Sequence, residues 1–425
     1  MAREMKDSGI EWIGNIPAHW KIRRNKTLFD CSKEIVGTAS KETQLLSLTT
    51  QGVKTKSQDA IGGKVPESFD TYQTVMPYDI VMCLFDLDCS AVFSGISPYY
   101  GMISPAYKIL KCKSAVLPNY ADYWFRFVFD GRKFKSYAKN LRYTLNYDEF
   151  AVLPLALPNV VEQGKIVSYL DKICSEIDVV ISKTKTTIEE YKKLKQSIIT
   201  EAVTKGIRGD RPMKDSGIEW IGDIVETYSI IKLKHLLSAP LMYGANESGI
   251  PFDENLPRYI RITDITMDGK LKDTGKLSLT EDTAESYILQ NNDVLFARSG
   301  ASVGKAFIYK EHYGRCAFAG YLIKASIGQK LLADYLFFYT QSSLYEEWKN
   351  QIFVQATIQN IGADRYNILP VVLGSIEEQK EIVDYLNKKC TEIDTLIEKK
   401  TALLEEMETY KKSVIYEYVT GKKEV

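Results

Sequence analysis

Histidine is scarce in this 425-residue chain, which holds only His19, His235 and His312. So few histidines argue against a histidine-based metal centre. The seven cysteines form no C-x-x-C pair and no zinc-type spacing with histidine, so no metal ligand set is expected. Cys174 and Cys390 fall on the apolar side of expected helices, where a thiol packs as a small hydrophobe. The formal net charge is zero, so no global positive field draws the chain to nucleic acid, and any anion-binding surface must be local. No apolar run is long enough to span a bilayer, and MAREMKDSG at the start holds no apolar signal segment. The expectation is a soluble, cytoplasmic protein with reduced thiols, making no membrane contact.

Catalytic motifs are lacking too. GASVGKA (300–306) has one residue too few between its glycines for a phosphate loop, and no Ser or Thr follows Lys305. Ser97-Pro98-Tyr99-Tyr100 lacks the second proline of a DNA amino-methyltransferase motif, and no Gly-rich cofactor loop precedes it. Nucleophile elbow, H-E-x-x-H and Walker motifs are missing as well. The chain reads as non-catalytic, with no catalytic residue to name.

What it does contain is a duplication. MKDSGIEWIG occurs at 5–14 and again at 213–222. Each copy opens a long variable region that closes on a hydrophobic-Leu-Pro, at Val152-Leu153-Pro154 and Ile368-Leu369-Pro370. A Glu-Gln helix start follows each, VVEQGKIVSYLDKICSEID (160–178) and IEEQKEIVDYLNKKCTEID (376–394). The tags are offset by 208 residues and the closing segments by 216, so the second variable region is about eight residues longer. The end of the second unit, YEYVTGKKEV, corresponds to the stretch before the linker Ile207–Pro212. The order is circular, and the termini are expected close together. The expected boundaries are 1–158 for a first domain with its tag, 159–206 for a helix, 207–212 for a linker, 213–374 for a second domain and 375–425 for a second helix.

Both variable regions read as α/β or α+β material. Apolar runs at 43–50, 78–85, 91–96 and 104–110 predict strands, and 119–131 a helix. In the second region 257–266, 291–300, 304–310 and 318–326 read as strands and 331–349 as helical. After each Glu-Gln, apolar residues recur at steps of three and four over roughly 40 residues, or about 60 Å of helix. Ile166, Leu170, Ile177 and Leu194 on one helix, and Ile382, Leu386, Ile393 and Ile397 on the other, are the expected helix–helix core. About ten such side chains per helix, at roughly 1.5–3 kcal/mol each, are a large gross gain before entropy. Helices of that length need a partner, and each copy supplies one for the other.

Binding signals are local. The first variable region has a net charge of roughly +5 although the whole chain is neutral. Lys54, Lys56 and Lys64 lie in one loop region; Arg132, Lys133, Lys135, Arg142 and Tyr143 mix cations with aromatics. The second region offers Arg258, Arg261, Arg298 and Lys305. Cations among aromatics suit phosphate contacts, and a solvated basic face is the other reading. Trp12, Trp20 and Trp220 either anchor the tags to their own domains or face a partner.

In this order, the tag SGIEWIG with Ile16-Pro17 and Trp20, the segment YDIV…GMISPAY, the strand-turn pattern DVLFARSGASVGKA with FAGYLI, the Leu-Pro…EQ helix starts and the ending YKKSVIYEYVTGKKEV span nearly the whole chain. It resembles a specificity subunit of a type I restriction–modification enzyme. The resemblance implies two target-recognition domains, each reading one half of a split site on double-stranded DNA, and two long antiparallel coiled-coil helices as a spacer in a pseudo-twofold circular repeat. It implies two methyltransferase subunits docked on the chain, with restriction (translocase/nuclease) subunits added for cleavage. S-adenosylmethionine and ATP belong, in that expectation, to the partners and not to this chain. The second tag continues Asp223-Ile224-Val225 without the Pro and Trp of the first. A two-domain coiled-coil DNA-binding regulator, and a solitary DNA methyltransferase or nuclease, are the alternatives.

Overall fold

A computed structural model describes residues 3–57, 68–87, 92–138, 143–266, 269–353 and 360–425. The chain divides into two compact units, 1–185 with 402–425, and 186–401. Each combines one tag, one globular part and one end of each of two long helices, Val160–Lys205 and Ile376–Val419.

The identical tags fold identically. Met5–Asp7 pairs antiparallel with Asn15–Pro17, and Met213–Asp215 with Asp223–Val225. Asp7 accepts the Gly9 N–H at 3.0 Å and Asp215 the Gly217 N–H at 2.9 Å, in matching side-chain turns. Gly9 and Gly217 both have φ of 72°, a left-handed conformation that favours glycine.

Behind the tag of the first unit stand two four-stranded sheets. In one, Leu45–Thr49 pairs Gly52–Lys56 antiparallel and Gly101–Ile103 parallel; Gln73–Val75 flanks the latter. In the other the order is Phe29–Ser32, Lys108–Cys112, Ile80–Met82, Ser94–Ile96. The second unit repeats this plan. Met242–Tyr243, Leu322–Ala325, Val294–Ala297 and Ala306–Ile308 form one sheet; Ile250–Pro251, Leu277–Ser278, Arg258–Ile260 and Cys316–Phe318 form the other. Ladders among the described strands are antiparallel except one pairing per unit, so the material is α+β. FAGYLIKAS, read from sequence as one strand, is two strands in different sheets, because the chain changes sheet at Ala319-Gly320. The stretch 331–349 is likewise two helices, Ala333–Tyr339 and Ser343–Phe353.

The helix Pro118–Asp130 fastens each layer of the first unit to the next. Trp124 Nε1 donates to Pro154 O at 3.1 Å, and Tyr120 Oη donates to Ala156 O at 2.7 Å and Val419 O at 3.1 Å. In the second unit Tyr339 donates to Pro370 O at 2.6 Å and Tyr335 to Val372 O at 2.7 Å. The acceptor carbonyls belong to the strands that follow Leu-Pro, Pro154–Leu157 and Pro370–Leu373, which pair with Lys21–Arg24 and Ser229–Lys232.

The long helices run 46 and 44 residues, longer than periodicity alone implied. Within each unit their ends are antiparallel: Asp178 meets Lys411 in the first, and Lys195 meets Asp394 in the second. Ile166, Leu170, Ile177, Ile382, Leu386 and Ile393 are buried, and Ile397 is half-buried. Ile166 and Leu170 share a core with Trp124 and with Val414 and Tyr418 of the other helix, so they bind helix to domain as well as helix to helix. Leu194 corrects the expectation: it is 48% exposed. Ile177, Thr184 and Ile199 are buried along the seam and Lys195 is half-buried between them, in the place expected of Leu194. Its four-carbon stem lies in the seam while the ammonium reaches Asp394 at 2.7 Å.

Candidate nucleic-acid interface

Each domain is joined to its helix pair by the glutamine of the Glu-Gln helix start. Gln163 is fully buried; its Oε1 accepts the Leu117 N–H at 2.8 Å, and its Nε2 donates to Ala115 O at 2.9 Å and Pro158 O at 3.0 Å. Gln379 repeats the arrangement on Leu332, Lys330 and Gly374 at 3.0, 3.0 and 3.2 Å. The preceding glutamates hold the tags. Glu162 pairs with Arg3 and, at 2.9 Å, with His19, while Glu378 pairs with Arg211 at 2.6 Å. Arg3 lies over the Trp20 ring at 5.5 Å and Arg211 over Tyr228 at 5.4 Å. Burial opposes ionisation of Glu162, but its hydrogen bonds with His19 and Arg3 outweigh it and hold its carboxyl below the ordinary range.

These contacts settle the tryptophans. Trp20 is fully buried, so its assignment as a partner-facing residue is corrected: it has no surface to offer, and it stacks on Arg3 instead. Tyr228, 208 residues on, takes its role, so the second tag lacks the Trp but not the aromatic platform. Trp12 is half-buried, with its ring 6.2 Å from Trp124 and 5.9 Å from Phe127; Trp220 is half-buried against the second unit's core. The chain's end closes on the first tag, with Lys422 donating to Asn15 O and Gly421 against Pro17 and Trp20.

The candidate DNA-binding cations separate into three groups. Lys54 and Lys56 alternate with Thr55 on the strand Gly52–Lys56; Lys54 is exposed and Lys56 half-buried. Arg132 is exposed at a left-handed φ of 51°, Lys133 is half-buried, and Lys135 sits over the Tyr143 ring at 4.6 Å. Lys64 and Arg142 lie outside the described residues. Two candidates in the second region are corrected. Arg258 is only 8% exposed and donates to Lys272 O. Arg261 is held by Asp264 at 2.7 and 3.0 Å and by Gly275 O at 2.8 Å, capping a short 3-10 turn. A guanidinium so saturated has few donors left for a phosphate or base. Arg298 and Lys305 are half-buried on one hairpin. Lys305 faces a cleft of about 590 Å³ shared with Lys193, Lys195, Lys349 and Asp394.

The sequence reading missed Gln163, Gln379 and the Lys–Asp pairs of the helix seam. The signal for all of them was the 216-residue offset: Asp178 and Asp394, Lys195 and Lys411, and the two glutamines are each 216 apart. Among the described residues, no group of three His, Cys, Asp or Glu could hold a metal ion, and no helix is long and apolar enough to cross a membrane.

Residues 257–406 match the family model described as Type I restriction modification DNA specificity domain. The chain is 25% identical over 289 residues to the type I restriction enzyme MjaVIII specificity subunit of Methanocaldococcus jannaschii, over 64% of this chain and 63% of that protein. The match thus spans less than two thirds of that relative's length. A solved chain described under "Structural basis underlying complex assembly and conformational transition of the type I R-M system" shares the fold. Its TM-score is 0.71 at 13% identity, over 96% of this chain and 99% of that one. The HsdS subunit from Thermoanaerobacter tengcongensis aligns at TM-score 0.47 and 14% identity, over 96% and 98% of the two chains.

Proposed function

We propose, from the premise that this chain belongs to the family of type I restriction–modification specificity subunits, that it recognises an asymmetric bipartite site on double-stranded DNA. In this reading residues 1–158 and 213–374 are the two target-recognition domains. Each reads a few base pairs by hydrogen bonds to base edges in a groove. The two long helices are the spacer, so the distance between half-sites becomes part of the specificity.

The observation that carries this reading is a repeated frame with unrepeated surfaces. The tag hairpin, the glutamine junction, the aromatic-to-carbonyl bonds and the helix seam recur residue for residue. The candidate cations do not: Lys54, Lys56, Arg132, Lys133 and Lys135, with Tyr143 beside Lys135, belong to the first domain, Arg298 and Lys305 to the second. A common mount with different faces suits two readers of different sequences.

The chain itself performs no chemistry. Two methyltransferase subunits dock on it and restriction subunits complete the complex, in the cytoplasm. S-adenosylmethionine and ATP are bound by those partners. Half-buried Trp12 and Trp220 are the tag residues left to face a methyltransferase. The test is to co-express the chain with its methyltransferase partner and map methylated bases across the host genome. The expected result is one bipartite motif with unlike halves and a fixed gap. A palindromic motif, or methylation by the purified chain alone, overturns the reading.

A further inference from the structure

The two globular parts carry one equivalent hairpin each, and the backbone aligns them without ambiguity. In the first unit Met82 pairs with Ser94, and the Cys83 N–H donates to Phe93 O at 2.8 Å. In the second Phe296 pairs with Ala306, and the Ala297 N–H donates to Lys305 O at 2.8 Å. Leu84 and Phe93 therefore stand where Arg298 and Lys305 stand. Leu84 is buried, and the Phe93 ring stacks on Phe129 at 5.2 Å. One hairpin closes its mouth with an apolar pair; the other has replaced both members with cations.

Among the described residues those cations have no counterion. Arg298 lies over the Tyr243 ring at 4.9 Å, and its Nε is buried without a hydrogen-bond partner among the described residues. Lys305 has its proton affinity lowered, first by burial and then by Lys272. The carboxylates of its cleft are engaged elsewhere, Asp394 by Lys195 at 2.7 Å and Glu346 by Lys349 at 2.7 Å. A half-buried cation with no partner is held at a cost that an incoming anion removes.

We propose that the hairpin of residues 298–305 is a sequence-independent contact for the DNA backbone, with Arg298 and Lys305 each pairing a phosphate, and that it exists in the second domain only. This rests on the reading that the chain binds DNA. The turn between the cations favours phosphate over base edges. Ser299, Gly300, Ser302 and Val303 are too short to reach into a groove, yet small enough to let a bulky backbone approach. Phosphate contacts position a duplex without specifying its sequence. The two domains thus grip DNA with different elements, as well as reading different bases.

The experiment uses the chain in complex with its methyltransferase subunits, binding a fluorescent duplex that carries the mapped site and one with a scrambled site, between 50 and 200 mM salt. R298A/K305A should weaken both duplexes by the same factor and leave the methylated motif unchanged. Each lost contact should make the salt-induced loss of affinity over that range about 3.5-fold smaller, the effect of one phosphate fewer. R298K should restore its share, since charge suffices for a phosphate. The double variant should melt no lower than wild type, because two uncompensated cations have been removed; a structural role would lower the melting temperature. An unchanged salt dependence overturns the proposal, as does relaxation of one base pair in the motif, which would make Arg298 a base reader. Millimolar inorganic phosphate that stabilises wild type but not the double variant, with DNA binding untouched, would assign the site to a free anion and overturn it too. If the wild-type complex binds neither duplex, the specificity-subunit reading itself fails.

Discussion

Replacing Gln379 by leucine tests the junction between domain and helix. The side chain is fully buried and makes three hydrogen bonds, accepting from the Leu332 N–H and donating to Lys330 O and Gly374 O. Leucine fills much the same volume and offers none of them. A buried group left without its partner costs about 1–3 kcal/mol, with the donor at the upper end because a carbonyl keeps a second lone pair. One donor and two acceptors together give about 3–5 kcal/mol, a large part of the 5–15 kcal/mol typical of a domain. Urea denaturation should show the lower midpoint, and hydrogen exchange should show the Leu332 amide losing protection. Q379E separates the contributions: it keeps the acceptor for Leu332 and loses the donor. If Q379L unfolds within about 0.5 kcal/mol of wild type, the buried glutamine is not what fastens domain to helix, and the reasoning from its bonds is wrong.

The seam makes a second prediction. Ile177→Ala should cost about 2–4 kcal/mol as a cavity, and Leu194→Ala under about 0.5 kcal/mol as a surface change; equal costs in urea melts would restore the seam through Leu194. Lys195→Ala should cost about 1 kcal/mol, since Asp394 is 45% exposed and water screens it, whereas the pair changed to two leucines should be neutral or more stable. Glu162 predicts a pH dependence. Its folded carboxyl is held below the unfolded value, so it binds its proton less readily when folded. Its contribution is full above the ordinary carboxylate range and is lost as pH falls through the lower folded value. Glu162→Gln should flatten that part of the stability–pH curve, and a curve that keeps its shape would refute the assignment. Burial raises the Cys316 and Cys390 thiols to about 11, so neither should react with iodoacetamide at pH 8 without denaturant, by mass spectrometry.

Much of the frame was legible because it is repeated. Identical tags must fold alike, and Leu-Pro followed by Glu-Gln at a constant offset marks the same junction twice. The strands at 45–49 and 80–82 fall inside their apolar runs, and the strand at 108–112 and the helix at 118–130 overlap theirs to within two residues. What misled was periodicity read without partners. Leu194 fits a three-and-four step as well as Lys195 does, and only the facing Asp394 selects the lysine. FAGYLIKAS reads as one run because both of its strands are largely buried and Lys324 is its one charged residue, so its pattern does not mark the change of sheet. Arg258 and Arg261 resembled ligand-binding cations because their intramolecular acceptors, Lys272 O and Asp264, become visible only once the chain is folded.

The sequence by itself determined the duplication, the circular order and the two long helices, since these are properties of spacing along the chain. Tertiary structure alone decided which cations are free. Charge is written in the residue type, but whether it is neutralised depends on what the fold brings within about 3 Å, the reach of a hydrogen bond. It also decided that Tyr228 stands in for Trp20 and that Arg298 and Lys305 stand where Leu84 and Phe93 do. Equivalence of that kind lies in backbone register and shared neighbours, which two diverged sequences no longer display.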